Sequence, residues 1–221
     1  MPSDPVPDFD EALFSQFVGG MSNRLTAAES KRWQWQSAQE SIRSDASGLA
    51  EQNGQLAKDP ISVRWIALCS MLLALYRSLR SSLGDDKRTL ELLHESLTGL
   101  YRPTSYIQDR FGISQDSREE AFRRVSENFV SRGEAMFGEG FRYVDDVRDD
   151  GRVFVNVEKC LFNDFFLRNG APEVTAVMCA FDSVWADELN KPEYGVHFER
   201  PTTFGRGDDV CRFQFKSTRR K

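Results

Sequence analysis

An α+β architecture is what this sequence predicts: a helical N-terminal half, then a small antiparallel sheet packed by helices. Three observations carry that expectation. Residues 61–83 place Trp65, Leu68, Leu72 and Leu75 at the helical period. Residues 152–158 and 209–216 instead alternate, with Val153, Val155 and Val157 on one face of the first and Cys211, Phe213 and Phe215 on one face of the second. Finally, the strand patterns are segregated from the first run of helices, in the order strand, strand, helix, helix, strand, strand.

Taken in order, residues 1–8 read as a disordered, proline-rich lead. Residues 9–56 are rich in Gln, Ser, Ala and Glu and form one or two helices, with Gly19-Gly20, Gly48 and Asn53-Gly54 as breaks. Asp59-Pro60 starts the stronger helix over 61–83, which carries Cys69, read as a small buried hydrophobe. A helix over 86–100 contains His94, read as a partly exposed helix residue. Residues 114–139 form a charged amphipathic helix with Phe122, Val125, Phe129 and Met136 on one side. A strand over 141–147 then turns at Asp149-Asp150-Gly151 into the strand at 152–158, making a hairpin. A helix over 161–167 ends at Asn169-Gly170, and Pro172-Glu173 opens another that carries Cys179 and Asp182 three residues apart on one face. Strands at 194–200 and 209–216, joined by a turn-rich 202–208, complete the chain. The expected organisation is a lead (1–8), a helical region (9–114) and an α+β region (115–221), with the last two forming one folded unit.

Composition narrows the function. The 221 residues carry a net charge of −5, with 29 basic and 34 acidic side chains interspersed, which gives no reason to expect a nucleic acid or an anionic membrane surface as partner. The N-terminus is acidic where a leader would be basic, and the apolar run over 65–76 is interrupted and too short to span a bilayer. Four cysteines without close spacing read as free thiols in a reducing, cytoplasmic setting. P-loop, dinucleotide-binding, G-x-S-x-G and H-E-x-x-H patterns are absent from the sequence.

Chemistry concentrates in residues 151–216, which hold Cys160, Cys179, Cys211 and His197, three of four cysteines and one of two histidines. Cys160 lies at a strand-to-helix junction, where free backbone N–H groups favour a thiolate; the competing reading is a core cysteine beside Phe162 and Phe165. Asp182 shares an otherwise apolar face with Cys179 and needs a partner, for which Arg200 is suited. The pair is either a structural bridge, or Asp182 activates water while Arg200 holds a substrate carboxylate. His197 and Arg200 are three steps apart on one strand, so only one of them faces a shared site unless a bulge intervenes. A zinc site from the three cysteines and His197 matches no short paired-ligand spacing, and no metal or other cofactor is assigned.

The succession of a strand ending in Cys160, Asn169-Gly170 with Pro172-Glu173, Cys179 with Asp182, Phe198 with Arg200, and the ending Thr203-x-x-x-Gly207-x-x-x-Cys211-x-Phe213 resembles the L-2-amino-thiazoline-4-carboxylic acid hydrolase family. The resemblance covers about residues 115–216. It implies hydrolytic opening of a cyclic amidine-like ring at a carbon–nitrogen bond, as in the family's formation of S-carbamoyl-cysteine. The GxxxCxF ending is also similar to vinyl-reductase-type and transport-particle-like α/β folds, some of which bind ligands without turning them over. The leading expectation is therefore a hydrolase on a small cyclic amidine-like or thiazoline carboxylate. In it Cys160 is the nucleophile, Asp182 the base or orienter, and Cys179, His197, Arg200, Thr203 and Cys211 contact the substrate. The alternative is a non-catalytic small-molecule-binding or assembly module on the same fold. Either leaves room for a homo-oligomer. On this reading Cys160, Cys179 and Cys211 should gather around one pocket, with Cys69 outside it.

Overall fold

The computed structural model describes residues 11–100 and 102–219; the expected lead over 1–8 and the last two basic residues of the chain lie outside them. The helical half runs α1 (Glu11–Ser22), α2 (Ala27–Arg32), α3 (Trp35–Gln52), α4 (Pro60–Leu83) and α5 (Asp86–Thr98). Gly19, Gly20 and Gly48 lie inside helices rather than at breaks. The cost of glycine in a helix, about 1 kcal/mol, is too small to end a segment held by packing. The break falls instead at Thr26, whose hydroxyl accepts from Glu29 N at 3.2 Å while the Glu29 carboxylate accepts from Thr26 N at 2.7 Å.

Asp59 caps α4 as its sequence predicts, accepting from Ser62 N at 2.6 Å with Pro60 in the first turn. At 24 residues α4 is long and apolar enough to cross a bilayer, a correction to the reading of a shorter, interrupted run. In this fold it is a core helix: Leu72, Leu73, Leu75 and Leu79 are completely buried among α1, α3, α5 and later elements.

The second half runs α6 (Pro103–Phe111), a 3-10 turn (Gln115–Glu120), α7 (Ala121–Phe137), a 3-10 turn (Gly138–Gly140), β1 (Phe141–Arg148), β2 (Arg152–Cys160), α8 (Leu161–Arg168), a 3-10 turn (Pro172–Val174), α9 (Thr175–Cys179), α10 (Phe181–Leu189), a 3-10 turn (Pro192–Tyr194), β3 (Val196–Glu199), a 3-10 turn (Phe204–Arg206) and β4 (Cys211–Ser217). The sequence reading did not anticipate α6. It expected α9 and α10 as one helix, and the chain divides them at Ala180. The strands form one antiparallel sheet in the order β1-β2-β4-β3, so the architecture is α+β.

One face of the sheet, built from Val153, Val155, Phe213, Phe215 and Phe198, packs on Phe111, Phe129 and Trp185 of α6, α7 and α10. Leu161, Phe165 and Phe166 of α8 and Val177 of α9 join the helical core instead. Phe141, Phe181 and Phe204 pack against both cores, so the two halves share side chains.

A second link between the halves is electrostatic. Asp59 accepts from Glu139 N, 80 residues away, as well as from its own helix. The intervening Gly138 has φ +71°, and a Cβ there would lie 2.4 Å from Asp59 Oδ2. Gly138→Ala should therefore cost roughly 1–3 kcal/mol of stability in urea denaturation. Burial opposes ionisation of Asp59, but the N–H donors of Glu139 and Ser62 outweigh it and hold its pKa below the ordinary carboxylate value. A depressed carboxylate stabilises the fold above its unfolded pKa, and that contribution is lost as pH falls through the folded value. Asp59→Ala should flatten that part of the acid dependence, measured as urea midpoints across the acid range.

Candidate functional site

A groove of about 390 Å³ opens between the α9–α10 corner and the β3–β4 connection. Cys179, Asp182, Arg200, Thr203, Gly205 and Arg206 are among the residues lining it. The corner at Ala180 leaves Cys179 at the end of one helix and Asp182 in the first turn of the next, so that the Cys179 carbonyl and the Asp182 carboxylate both meet Arg200. Arg200 Nη2 donates to the Cys179 carbonyl at 2.8 Å, and Arg200 Nη1 pairs with Asp182 Oδ2. The other Asp182 oxygen accepts from Trp185 Nε1 at 3.0 Å. Both carboxylate oxygens are thus occupied, and much of the Arg200 fork is spent inside the protein.

The β3–β4 connection is folded by its own polar groups. Asp208 Oδ2 accepts from Thr203 N at 2.8 Å, and Arg206 N donates to Thr203 O at 2.9 Å. This buries Thr203 beside two sulfurs. Its hydroxyl donates to Cys179 Sγ at 3.2 Å and accepts from Cys211 Sγ at 3.5 Å, while Phe204 N donates to Cys211 Sγ at 3.3 Å. Gly205 closes this contact: a Cβ there would lie 2.9 Å from both Cys179 Sγ and the Ala176 Cα.

These donors act on the Cys179 thiol. The hydrogen bond from Cys211 is the largest influence; with the Thr203 hydroxyl and the Arg200 charge it outweighs burial and the nearby Asp182, lowering the pKa to about 7. Cys211 is pushed the other way by its hydrogen bond to Cys179 and by burial, so it keeps its proton. The arrangement places a readily ionised thiol on the groove with a higher-pKa thiol and a hydroxyl behind it. It can deliver a sulfur nucleophile to a bound electrophile.

Cys160 does not join it. Only 7 % exposed, it packs in the helical core that also contains Cys69. Burial raises its pKa strongly; the N–H groups of Asn163 and Phe162 at the start of α8 pull it down but do not compensate. The junction expected to favour the thiolate is present, and desolvation outweighs it. The register explains the separation. Cys211, the first residue of β4, pairs with Val157, and β2 continues past it through an irregularity in its pairing with β1 until Cys160 meets Phe141. The expected three-cysteine cluster is therefore a pair, Cys179 and Cys211. Cys69 lies outside it in the helical half.

His197 also departs from expectation. It is exposed on β3, 3.8 Å from Glu199 Oε2, while its neighbour Phe198 points into the core. Strand alternation thus turns it away from the groove. Among the described residues no three His, Cys, Asp or Glu side chains are grouped to hold a metal ion. Arg206 and Gly205 were missed in the sequence; their only signal was a cation between two glycines in the turn over 202–208.

The family model for L-2-amino-thiazoline-4-carboxylic acid hydrolase matches residues 64–215, which extends the similarity well into the helical half. No curated protein and no solved structure matches the chain.

The site makes a prediction opposite to that from the helix junction. Cys179 should alkylate fastest of the four cysteines at neutral pH, with a rate that rises through a midpoint of about 7. Cys160 should react only on unfolding. In Thr203→Val the midpoint should move upward, because one donor to the thiolate is gone. Peptide mapping after timed iodoacetamide labelling checks all three outcomes.

Proposed function

Since the chain belongs to the L-2-amino-thiazoline-4-carboxylic acid hydrolase family, we propose that it hydrolyses a carbon–nitrogen bond in a small cyclic amidine-like or thiazoline carboxylate, with Cys179 as the nucleophile. The observation that carries this reading is the position of the Cys179 sulfur: on the groove, hydrogen-bonded by Thr203 and facing the Arg200 charge.

In the proposed reaction the thiolate adds to the electrophilic C=N carbon of the ring. A carbon–sulfur bond forms and the π pair moves to nitrogen. That nitrogen takes up one proton; the ring carbon–nitrogen bond then breaks, its electron pair goes to the nitrogen, and a second proton from solvent lets it leave as an amine. Water adds to the enzyme-bound carbon and the Cys179 thiolate is expelled, leaving a carbonyl on the opened product. Thr203 and Cys211 stabilise the sulfur as its negative charge returns.

Two roles differ from those expected at the sequence level. Asp182, filled by Arg200 and Trp185, orients the arginine rather than taking a proton. The substrate carboxylate is assigned to Arg206, which lines the groove with a side chain 59 % exposed; its Nη2 donates to the carbonyls of Arg200 and Pro201 and its Nε lies 4.0 Å from Asp208 Oδ2, so Nη1 is the donor assigned to substrate. A cytoplasmic setting and a small-molecule partner belong to this same reading.

Turnover of a panel of thiazoline and cyclic amidine carboxylates by the full-length protein tests it. Cys179→Ser should reduce kcat/KM on the order of 10³-fold or more, since a hydroxyl lacks thiolate character without a strong base. Arg206→Gln should raise KM for a carboxylate substrate and leave that for its neutral amide analogue nearly unchanged. The wild-type rate should rise with pH through about 7 as Cys179 ionises. Full activity in Cys179→Ser would end the covalent route, and no turnover across the panel would leave the binding-module reading.

A further inference from the structure

Nucleophilic catalysis needs one sulfur, and the groove is backed by two. Cys179 is partly exposed on the groove, whereas Cys211 is buried directly behind it. Both meet the Thr203 hydroxyl, whose Oγ1 lies 3.2 Å from the Cys179 sulfur and 3.5 Å from the Cys211 sulfur. Cys69 and Cys160 are both buried in the helical core. One accessible sulfur with a shielded thiol in reach is the arrangement of an attacking and a resolving cysteine.

We propose that Cys179 and Cys211 are a peroxide-modified dithiol: Cys179 is the sulfur oxidised first, and Cys211 closes a reversible disulfide on it. In the first step the Cys179 thiolate attacks one oxygen of hydrogen peroxide. A sulfur–oxygen bond forms, the oxygen–oxygen bond breaks, and hydroxide leaves and takes up a proton as water. The sulfur, oxidised by two electrons, is then a sulfenic acid. In the second step Cys211 sulfur attacks it; the sulfur–sulfur bond forms, the sulfur–oxygen bond breaks, and the departing hydroxide leaves as water with the Cys211 proton. Two small-molecule thiols reverse the change, themselves becoming a disulfide. Closing the bond brings to about 2 Å two sulfurs that now share one hydrogen-bond partner, the Thr203 hydroxyl. The lowered pKa of Cys179 supplies the thiolate at neutral pH, and the retained proton on Cys211 keeps it from competing for the oxidant.

This modification does not depend on the hydrolase reading, because it needs the two sulfurs and no substrate. The test is therefore covalent. Full-length protein is treated with a slight excess of hydrogen peroxide, and remaining thiols are alkylated after unfolding. The chain should become lighter by two hydrogens, its peptide map should join Cys179 to Cys211, and Cys69 and Cys160 should be recovered alkylated. Dithiothreitol should restore the original mass. In Cys211→Ser the linked peptide should vanish, and Cys179 should instead appear as a dimedone-trapped sulfenic acid. Accumulation of sulfinic or sulfonic acid on wild-type Cys179 without the linked peptide would overturn the proposal. So would a disulfide through Cys69 or Cys160. The wild-type result decides the matter even if the variant fails to fold. A protein that opens no thiazoline yet forms the link sinks only the hydrolase reading, and an active hydrolase that forms none sinks only this one.

Discussion

The groove exists because Arg200 cannot be left alone. Its side chain is only 16 % exposed, and a guanidinium that far from water must be paired and hydrogen-bonded to be tolerated. Asp182 supplies the charge, the Cys179 carbonyl takes a second N–H, and the Phe213 ring lies 5.5 Å beneath it. These three partners belong to α10, α9 and β4, so satisfying one cation fixes the mutual placement of three elements. The Cys179 sulfur gains a nearby positive charge from the same constraint. Trp185, which donates to Asp182, is also the centre of the aromatic core under the sheet, 4.6 Å from Phe198 and 5.1 Å from Phe111 between ring centroids. Core packing and site electrostatics therefore meet in a single residue pair.

The cysteines show how strongly surroundings outweigh residue type. Cys160 has the backbone N–H groups of a helix start, and Cys179 sits at the opposite, C-terminal end of its helix. Helix position alone favours Cys160 as the thiolate. Burial reverses that order: no countercharge reaches the Cys160 sulfur to offset its loss of water, whereas Cys179 has a thiol, a hydroxyl and a guanidinium acting on it. A dipole effect of at most about 2 kcal/mol is smaller than the desolvation of a buried anion, and larger assemblies of donors are needed to balance it.

The shape of the connection between β3 and β4 determines which of these groups can meet. Asp208 holds Thr203 N, and the resulting turn carries Thr203, Phe204, Gly205 and Arg206 over the end of α9. Gly205 permits an approach to Cys179 that a methyl group would block. Phe204 meanwhile packs against both hydrophobic cores and directs its N–H at Cys211. The turn is thus anchored by apolar burial on one side and by its internal hydrogen bonds on the other, which leaves Arg206 as its solvent-facing cation.

By itself the sequence determined most of the elements and the family. Alternation in Val153, Val155 and Val157, and in Cys211, Phe213 and Phe215, reports a two-residue period that is local. The Asp59-Pro60 start of α4 and the Asp149-Asp150-Gly151 turn are equally local, and all appear in the structure. The ordered ending from Thr203 to Phe213 was enough to indicate the family, because that motif is contiguous. The Asp182–Arg200 pair was legible too, since a lone carboxylate on an apolar helix face demands a partner. What only the tertiary structure decided is which cysteine has surroundings that favour a thiolate. That depends on how much water each sulfur loses and on which donors reach it, and for Cys179 those donors lie 21 to 32 residues away at Arg200, Thr203 and Cys211. No local pattern encodes such distances. They follow from the sheet register, which starts β4 opposite Val157 and carries Cys160 past the groove into the helical core.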